Sequence, residues 1–550
     1  MNTNMIFPVK KICDVKENSS YILKPQHVLP LSNEHVGELI LNELRSAPNF
    51  IGQIHAVTGQ ATTFQEMRER SVKCALWLRK VGISSNKKMV ICTNNIMEAY
   101  VPFLAGLYNN IIVNIWDVKY CNDNIRLLYF LTQTCPDIIF IDDINVTVLL
   151  SAILILQKHN VKLNIQNIVV IGKCDLEEKV DIFESIINND FDANELDKFA
   201  CVELKSTMDI AVQMFSSNAI SYPGNAQIPY AAFISPSNNN TPTMCRDEVG
   251  LWFGSLCWTH SLLLTVRCIL SHVTAIKYLL FSEAIMYRII EKYKVNWVFL
   301  ESNMCYKFSR LLRTAVNRYN LSSLRQLLFG DVQILNFIQK YITNTLNNVV
   351  ITQVYCTSEA GVIAYQRSND AIGSCGYVSN NVKVMIIHEE TRKLVGSNVK
   401  GEIWCKTPCI APSSVTGCKS DVSNGWFYTG DFGYYDKDKN MVVLEKVNKV
   451  IKYEKHYLYP SRIENIIKCR FRDAVSDVAI ISHPCDHHCL LAYIKKSPNS
   501  EVTPKQLIDL ILNIETKCPA IKIYFLKYDM SYLPNGQIDR ARLCKLPVEY

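Results

Sequence analysis

The chain has 550 residues, of which 49% are hydrophobic and 20% charged. That is ordinary globular composition and excludes a disordered or fibrous protein. The net charge of +7, from 58 Lys+Arg against 51 Asp+Glu, is too dilute for a nucleic-acid binder, which needs a concentrated basic stripe. At roughly 100–200 residues per domain, the length predicts about three to five structural units, or fewer large ones. Glycine is scarce, at 20 residues, about half the usual ~7%. The 21 cysteines would suggest a disulfide frame in a small secreted chain. Here the start, MNTNMIFPVKKICDVKENSS, has no apolar core of signal-peptide length, so the expectation is reduced thiols in a cytosolic or organellar protein. The longest apolar run, Val146–Leu156, is interrupted by Thr147 and Ser151 and is too short to span a bilayer. The closing Val548-Glu549-Tyr550 is not an S-K-L-type address, which favours the cytoplasm over the peroxisome.

In chain order, Thr63-Phe64-Gln65-Glu66 is a T-x-x-E capping box. It predicts a helix with Met67, Ala75, Leu76 and Leu78 at helical spacing and Gly82 as its stop. A strand follows at Met89–Cys92, a helix over Ile96–Tyr108, and a strand at Ile111–Ile115. A helix near Asp123–Thr134, a strand at Ile138–Ile141, a helix near Val146–Lys158 and a strand at Ile168–Ile171 come next. This β-α-β-α alternation of short apolar strands predicts an α/β fold with a doubly wound, mostly parallel sheet covered on both faces. After about residue 370 the pattern changes. Val382–Ile387, Gly401–Lys406 and Met441–Leu444 read as short strands separated by Gly, Asn and Asp, which predicts a small antiparallel or barrel-like unit. The last hundred residues mix helices (Ser461–Cys469) with strands (Val478–Ile481, Leu490–Ile494) and read as a separate α+β domain.

The most informative stretch is Asn424–Glu464, with Gly425-Trp426, Thr429-Gly430-Asp431, Gly433, Ile451-Lys452-Tyr453, Pro460 and Glu464 in order. It resembles the acyl-adenylating superfamily that includes firefly luciferase, 4-coumarate–CoA ligase and the acyl-CoA synthetases. Weaker likeness runs from about residue 50 to residue 543, through Tyr355-Cys356-Thr357-Ser358-Glu359 and the closing Gly536-Gln537-Ile538-Asp539. The resemblance implies an N-terminal domain over 1–445, a mobile C-terminal domain over 446–550, and a hinge near 445–449. It also implies a two-step reaction. A carboxylic acid, fatty or aromatic, attacks the α-phosphate of ATP to give acyl-AMP, and a thiol, usually coenzyme A, then displaces AMP. Negative charge builds in the first step, so cations, Mg²⁺ and backbone N–H groups are needed around it.

Residue by residue, Asp431 matches the aspartate that accepts from both ribose hydroxyls, a task suited to a carboxylate's two acceptor oxygens. Tyr355 matches the aromatic residue stacked on adenine. Glu359 matches the Mg²⁺ ligand, a hard oxygen donor for a hard ion. Ser358 keeps the hydroxyl of a family Thr, and Cys356 replaces a glycine. Lys452 matches a lysine of the thiol half-reaction, Lys446 stands for the Arg of D-R-x-K and loses its bidentate fork, and Asn448 stands at the hinge. Gly330 matches the first of two glycines lining the acyl site, or is an ordinary strand-to-helix turn. Trp258 stands in the acid pocket wall or in the core.

Two motifs depart from the pattern. The phosphate loop is Ser235-Pro236-Ser237-Asn238-Asn239-Asn240-Thr241-Pro242-Thr243-Met244. Its register, held by Pro242, leaves Ser235, Thr241 and Thr243 as phosphate-facing candidates, but both glycines and the lysine are gone. Glycines there let backbone N–H groups approach phosphate without a Cβ. The closing glycine-lysine becomes Gly536-Gln537, and a neutral Gln537 cannot balance developing charge. Removing one preorganised donor costs roughly 10²–10³ in rate. Two readings follow: an acid–CoA ligase with impaired adenylation, or a non-catalytic relative that binds a nucleotide, an acyl ligand or a protein partner. The run His483-Pro484-Cys485-Asp486-His487-His488-Cys489 could hold a metal, but a structural zinc site draws on two separated pairs, so a polar hairpin turn is expected.

Overall fold

The computed structural model describes residues 19–545, apart from 123, 176–179, 217–223, 240–243, 331–333, 368–371, 411–421, 424, 455, 472, 485, 487–488 and 532–537. Thr241, Thr243 and Gln537, three of the expected site residues, lie outside the described residues.

The capping box forms as read. Thr63 Oγ1 accepts from the Glu66 amide, and Glu66 Oε2 accepts from the Thr63 amide at 2.7 Å. The helix Phe64–Lys80 that follows buries Met67, Ala75 and Leu78. Downstream, a seven-stranded sheet runs in the order Asp181–Ile182, Asn167–Ile171, Ile138–Asp142, Lys88–Cys92, Ile112–Ile115, Ile210–Ser216, Gly224–Pro229. All its pairs are parallel except the last. Alternate residues of its strands enter two different cores, Met89 and Ile91 on one face and Val90 and Cys92 on the other. A sheet buried on both sides needs this, and it explains why its strands are near-continuous apolar runs. The segment 96–99 stays in turns, and its helix begins at Tyr100.

A second sheet of nine strands runs Tyr377–Val378, Gly361–Tyr365, Val350–Thr357, Gln326–Gly330, Trp297–Glu301, Val249–Phe253, Thr274–Tyr278, Ile51–His55, Ala61–Thr63. Its six central strands are parallel. One face packs on the helices Glu283–Tyr293, Ser302–Arg318 and Asn336–Thr345. The other face meets the helix Thr259–Leu270. That helix lies between the two sheets, with Leu262, Val266 and Ile269 in the first sheet's core and Leu264 and Cys268 in the second's.

The region after 370 is antiparallel, as expected, but is an open six-stranded sheet rather than a barrel. Its order is Leu394–Val395, Lys383–Ile387, Gly401–Lys406, Trp426–Tyr435, Val422–Ser423, with Met441–Lys446 paired to Trp426–Tyr435. The strand Lys383–Ile387 sends Val384 and Ile386 to one core and Met385 and Ile387 to another. Both faces are therefore covered, although the sheet stays open at its edges. The C-terminal residues form a three-stranded sheet, Val475–Ser482, Cys489–Lys496 and Ala520–Leu526, with helices Pro460–Arg470 and Pro504–Ile514. His483 and Cys489 sit at the hairpin between its first two strands, where the His483 amide donates to the Cys489 carbonyl. Cys485, His487 and His488 lie outside the described residues.

Candidate functional site

Four segments converge beyond the C-terminal ends of the parallel strands of the nine-stranded sheet, the usual crevice for ligands in open α/β sheets. The first is built by a register shift. Glu402 pairs with Phe432 while Trp404 pairs with Tyr428, so extra residues on the second strand bulge out. Gly430, at φ +71°, takes the left-handed conformation that glycine adopts without a Cβ penalty. Thr429 anchors the bulge by donating to the Ile403 carbonyl at 2.8 Å and accepting from the Asp431 amide at 3.2 Å. Asp431 is thereby turned inward and is 3% exposed.

Both carboxylate oxygens of Asp431 are engaged. The Tyr355 hydroxyl donates to Oδ2 at 2.8 Å. Lys446, paired with Asp431 across the sheet, reaches Oδ1 at 2.7 Å. A buried carboxylate needs such partners. Lys446 keeps 28% of its side chain exposed, so the cluster opens to solvent on that side. Burial, with the Asp431 charge second, pushes the Tyr355 phenol far above its ordinary range, and it stays a neutral donor.

Tyr355 ends the second segment. It lies beyond the parallel pairing of its strand, which runs to Phe329↔Gln353, and a register shift against Gly361–Tyr365 falls between Tyr355 and Cys356. Ser358 and Glu359 follow in a half-buried turn. Ser358 Oγ accepts from Thr259 Oγ1 at 3.0 Å, which ties this turn to the start of the helix Thr259–Leu270.

The third segment is Ser235–Asn239. Pro236–Asn239 form one short helical turn. Its described polar groups turn into the protein. Ser235 and Ser237 share a hydrogen bond at 2.9 Å. Asn238 donates to the Ala232 carbonyl at 2.7 Å and accepts from the Val362 amide at 2.9 Å. Arg267 supports the turn from below, donating to the Asn238 carbonyl at 3.0 Å. Gly361, at φ +67°, makes room for this arrangement: a Cβ there would lie 2.4 Å from Asn238 Oδ1.

The fourth segment is the aromatic face behind the turn. Gly330 ends its strand against the Phe299 ring, 2.6 Å from where a Cβ would stand. His260 stacks on Phe299 with centroids 4.6 Å apart, and Trp258 stacks on His260 at 6.4 Å. Desolvation lowers His260 to about 4. Trp258 is 41% exposed, so it stands at a mouth rather than in the core.

Lys452 is not brought to this cluster. Its ammonium bonds Glu390 and lies 3.7 Å from Glu389, on the turn after the strand Lys383–Ile387, and Tyr457 also bonds Glu389. Glu445, next to Lys446, accepts from the amide and hydroxyl of Ser461 at 2.8 and 2.9 Å. That contact joins the antiparallel sheet to the helix Pro460–Arg470. Sequence reasoning overlooked His260 and Arg267, which had a signal, polar side chains interrupting the apolar spacing of a helix. Asn238 was read as part of the phosphate loop, and its inward contacts were not foreseen.

A model of AMP-binding enzymes matches residues 45–413. Luciferin 4-monooxygenase of Nipponoluciola cruciata is 21% identical over 513 residues, covering 90% of this chain and 92% of its own. The 4-coumarate–CoA ligase-like 9 of Arabidopsis thaliana is 25% identical over 313 residues, 55% of each chain. Among solved structures, ATP-bound MatB from Rhodopseudomonas palustris superposes with a TM-score of 0.75 at 16% identity, covering 94% of this chain and 99% of that one.

Proposed function

The chain belongs to the AMP-binding enzyme family, and we propose that it is an ATP- and Mg²⁺-dependent carboxylic acid–CoA ligase whose adenylation half-reaction is impaired. One observation carries this reading: the buried Asp431, held between Tyr355 and Lys446 at the solvent-facing end of the cluster. The donor set suits the nucleoside end of ATP. The Asp431 carboxylate offers two acceptors to a diol, and the partly exposed Lys446 holds one of them. Glu359, in the half-buried turn after Tyr355, has the hard oxygen that suits Mg²⁺. What the metal supplies when bound is charge neutralisation at phosphate. In this reading coenzyme A is the thiol acceptor.

Impairment is supported by what the described part of the loop does. Ser235, Ser237 and Asn238 spend their polar groups on protein partners, and the sequence supplies Thr243 and Gln537 where the family has lysines. Residues 446–550 are read as a separate domain with its hinge at 445–449. In this reading, opening the Lys452 pairing with Glu389 and Glu390 accompanies the move to the thiol step.

The inward-turned Asn238 also favours a second reading, a non-catalytic binder of nucleotide or acyl ligand. Pyrophosphate exchange into ATP, with a panel of fatty and aromatic acids, separates the two. Slow but acid-dependent exchange, raised by Thr243→Lys with Gln537→Lys, is the expected result. Exchange at or below the background without protein, in both forms, would sink the ligase reading.

A further inference from the structure

The layer between the helix Thr259–Leu270 and the nine-stranded sheet contains a charge that the chemistry above does not use. Lys277 stands in the strand Thr274–Tyr278 and is 8% exposed. Its ammonium has three donors but makes one hydrogen bond, to Thr265 Oγ1 at 3.3 Å, and lies over the Trp252 ring at 4.5 Å. Among the described residues no carboxylate accompanies it. Trp252 is its neighbour on the adjoining strand and stacks in parallel on Trp297 at 6.0 Å. Gly250 leaves room for the Trp297 indole, since a Cβ there would meet it at 2.1 Å.

Two more donors in the same layer are unmet. The Trp297 indole N–H and the Ser261 hydroxyl are buried without a hydrogen-bond partner. Ser261 lies one helical turn from Thr265, whose hydroxyl donates to the Ser261 carbonyl at 2.7 Å. A buried donor left unpaired is costly, and an unpaired buried ammonium is costlier still. Among the described residues around Lys277, this layer holds an ammonium, two spare N–H or O–H groups and no carboxylate, which makes it complementary to an anionic ligand group. It also adjoins the candidate site, because Met244, Cys356 and Phe299 pack in the same cluster as Trp252 and Trp297, and Phe299 touches Gly330.

We propose that Lys277, with the Trp297 N–H and the Ser261 hydroxyl, sets acid specificity by selecting a dicarboxylic acid, holding the carboxylate remote from the one that reacts. This rests on the ligase reading for its reacting end, but its central claim concerns binding alone. An aliphatic or aromatic spacer would lie along the Trp252, Trp297 and Phe299 rings. The remote carboxylate would accept from the ammonium, which Thr265 already orients.

The test uses the full chain and measures binding directly, by tryptophan fluorescence and calorimetry. Paired α,ω-dicarboxylates and monocarboxylates of equal length, from four to ten carbons, are compared. At one or two adjacent lengths the diacid is expected to bind at least tenfold more tightly than its partner. Lys277→Met should remove that gap, Lys277→Arg should keep part of it, and Trp297→Phe should narrow it severalfold. A gap that is absent, or unchanged in Lys277→Met, overturns the proposal, as does failure of every acid to bind. Thioester formation is assayed in parallel. A Lys277-dependent gap without thioester leaves the pocket assignment standing and sinks the ligase reading; thioester from monoacids without a gap does the reverse.

Discussion

The Tyr355 hydroxyl and the Asp431 carboxylate meet at 2.8 Å in a buried site, although their strands belong to different sheets. This contact joins the nine-stranded sheet to the open antiparallel one, where the proposed reading seats the nucleotide. Hydrogen bonds to charged groups contribute about 1.5–3 kcal/mol. Tyr355→Phe should therefore lower stability by about 2 kcal/mol in urea unfolding, while the Lys446 ammonium still pairs with Asp431. Asp431→Ala should weaken ATP–Mg²⁺ binding at least tenfold by calorimetry. Wild-type affinity in Asp431→Ala would remove this carboxylate from the nucleotide site.

Asn238 tests whether the loop segment is structural. Its amide satisfies the Val362 N–H and the Ala232 carbonyl, and Asn238→Ala strands both. The expected cost is about 3 kcal/mol. Gly361→Ala should be comparably damaging, because it forces a Cβ to within 2.4 Å of Asn238 Oδ1 at a positive φ. Thermal unfolding of the two variants checks this; melting within a degree or two of the parent would show that the segment is not anchored as described.

Burial lowers the Lys277 ammonium from 10.5 to about 8, with the Cys268 thiol opposing slightly. The described groups around it are Thr265 and Cys268 on the helix and Trp252 on the strand. The Cys268 thiol is itself raised to about 12, and Arg267 is lowered to about 10. Because the folded value lies below the unfolded one, the unfolded chain holds more protons between about pH 8 and 10.5. The stabilising difference is thus present above the unfolded value and is lost as pH falls through 8. The charged form is a burden on the order of 3 kcal/mol. Lys277→Met should raise stability at pH 7 and flatten the rise between pH 8 and 10. Parallel pH profiles for the two proteins would contradict the burial argument.

Lys452 and Glu390 are solvent-exposed, and exposed ion pairs contribute little to stability. Lys452→Ala should leave the unfolding midpoint unchanged. It should leave pyrophosphate exchange intact while thioester formation falls at least tenfold. Equal loss of both activities would remove Lys452 from the thiol step.

Much of the fold was legible in local pattern. The Thr63–Glu66 capping box and the apolar strands at Lys88–Cys92 and Ile138–Asp142 each follow from neighbours in the chain, so they could be read one segment at a time. The open form of the antiparallel sheet could not be read this way, because closure depends on which strands pair, and those pairings join segments distant in sequence. At the site, Asp431, Tyr355 and Lys446 were identifiable singly. Their mutual contact was not, since it requires the register shift at Thr429–Asp431 and the pairing of Asp431 with Lys446.

By itself the sequence determined the residue types: a carboxylate at 431, Thr243 and Gln537 at positions that the resemblance aligns with lysines, and a lone lysine in the apolar run Thr274–Tyr278. Only the tertiary structure decided that Asn238 faces inward, that Lys452 pairs with Glu389 and Glu390, and that Lys277 is buried with no counter-ion among the described residues. The reason is that a side chain's chemistry is fixed when the chain is made, whereas its solvation and its partners are set by elements distant in sequence.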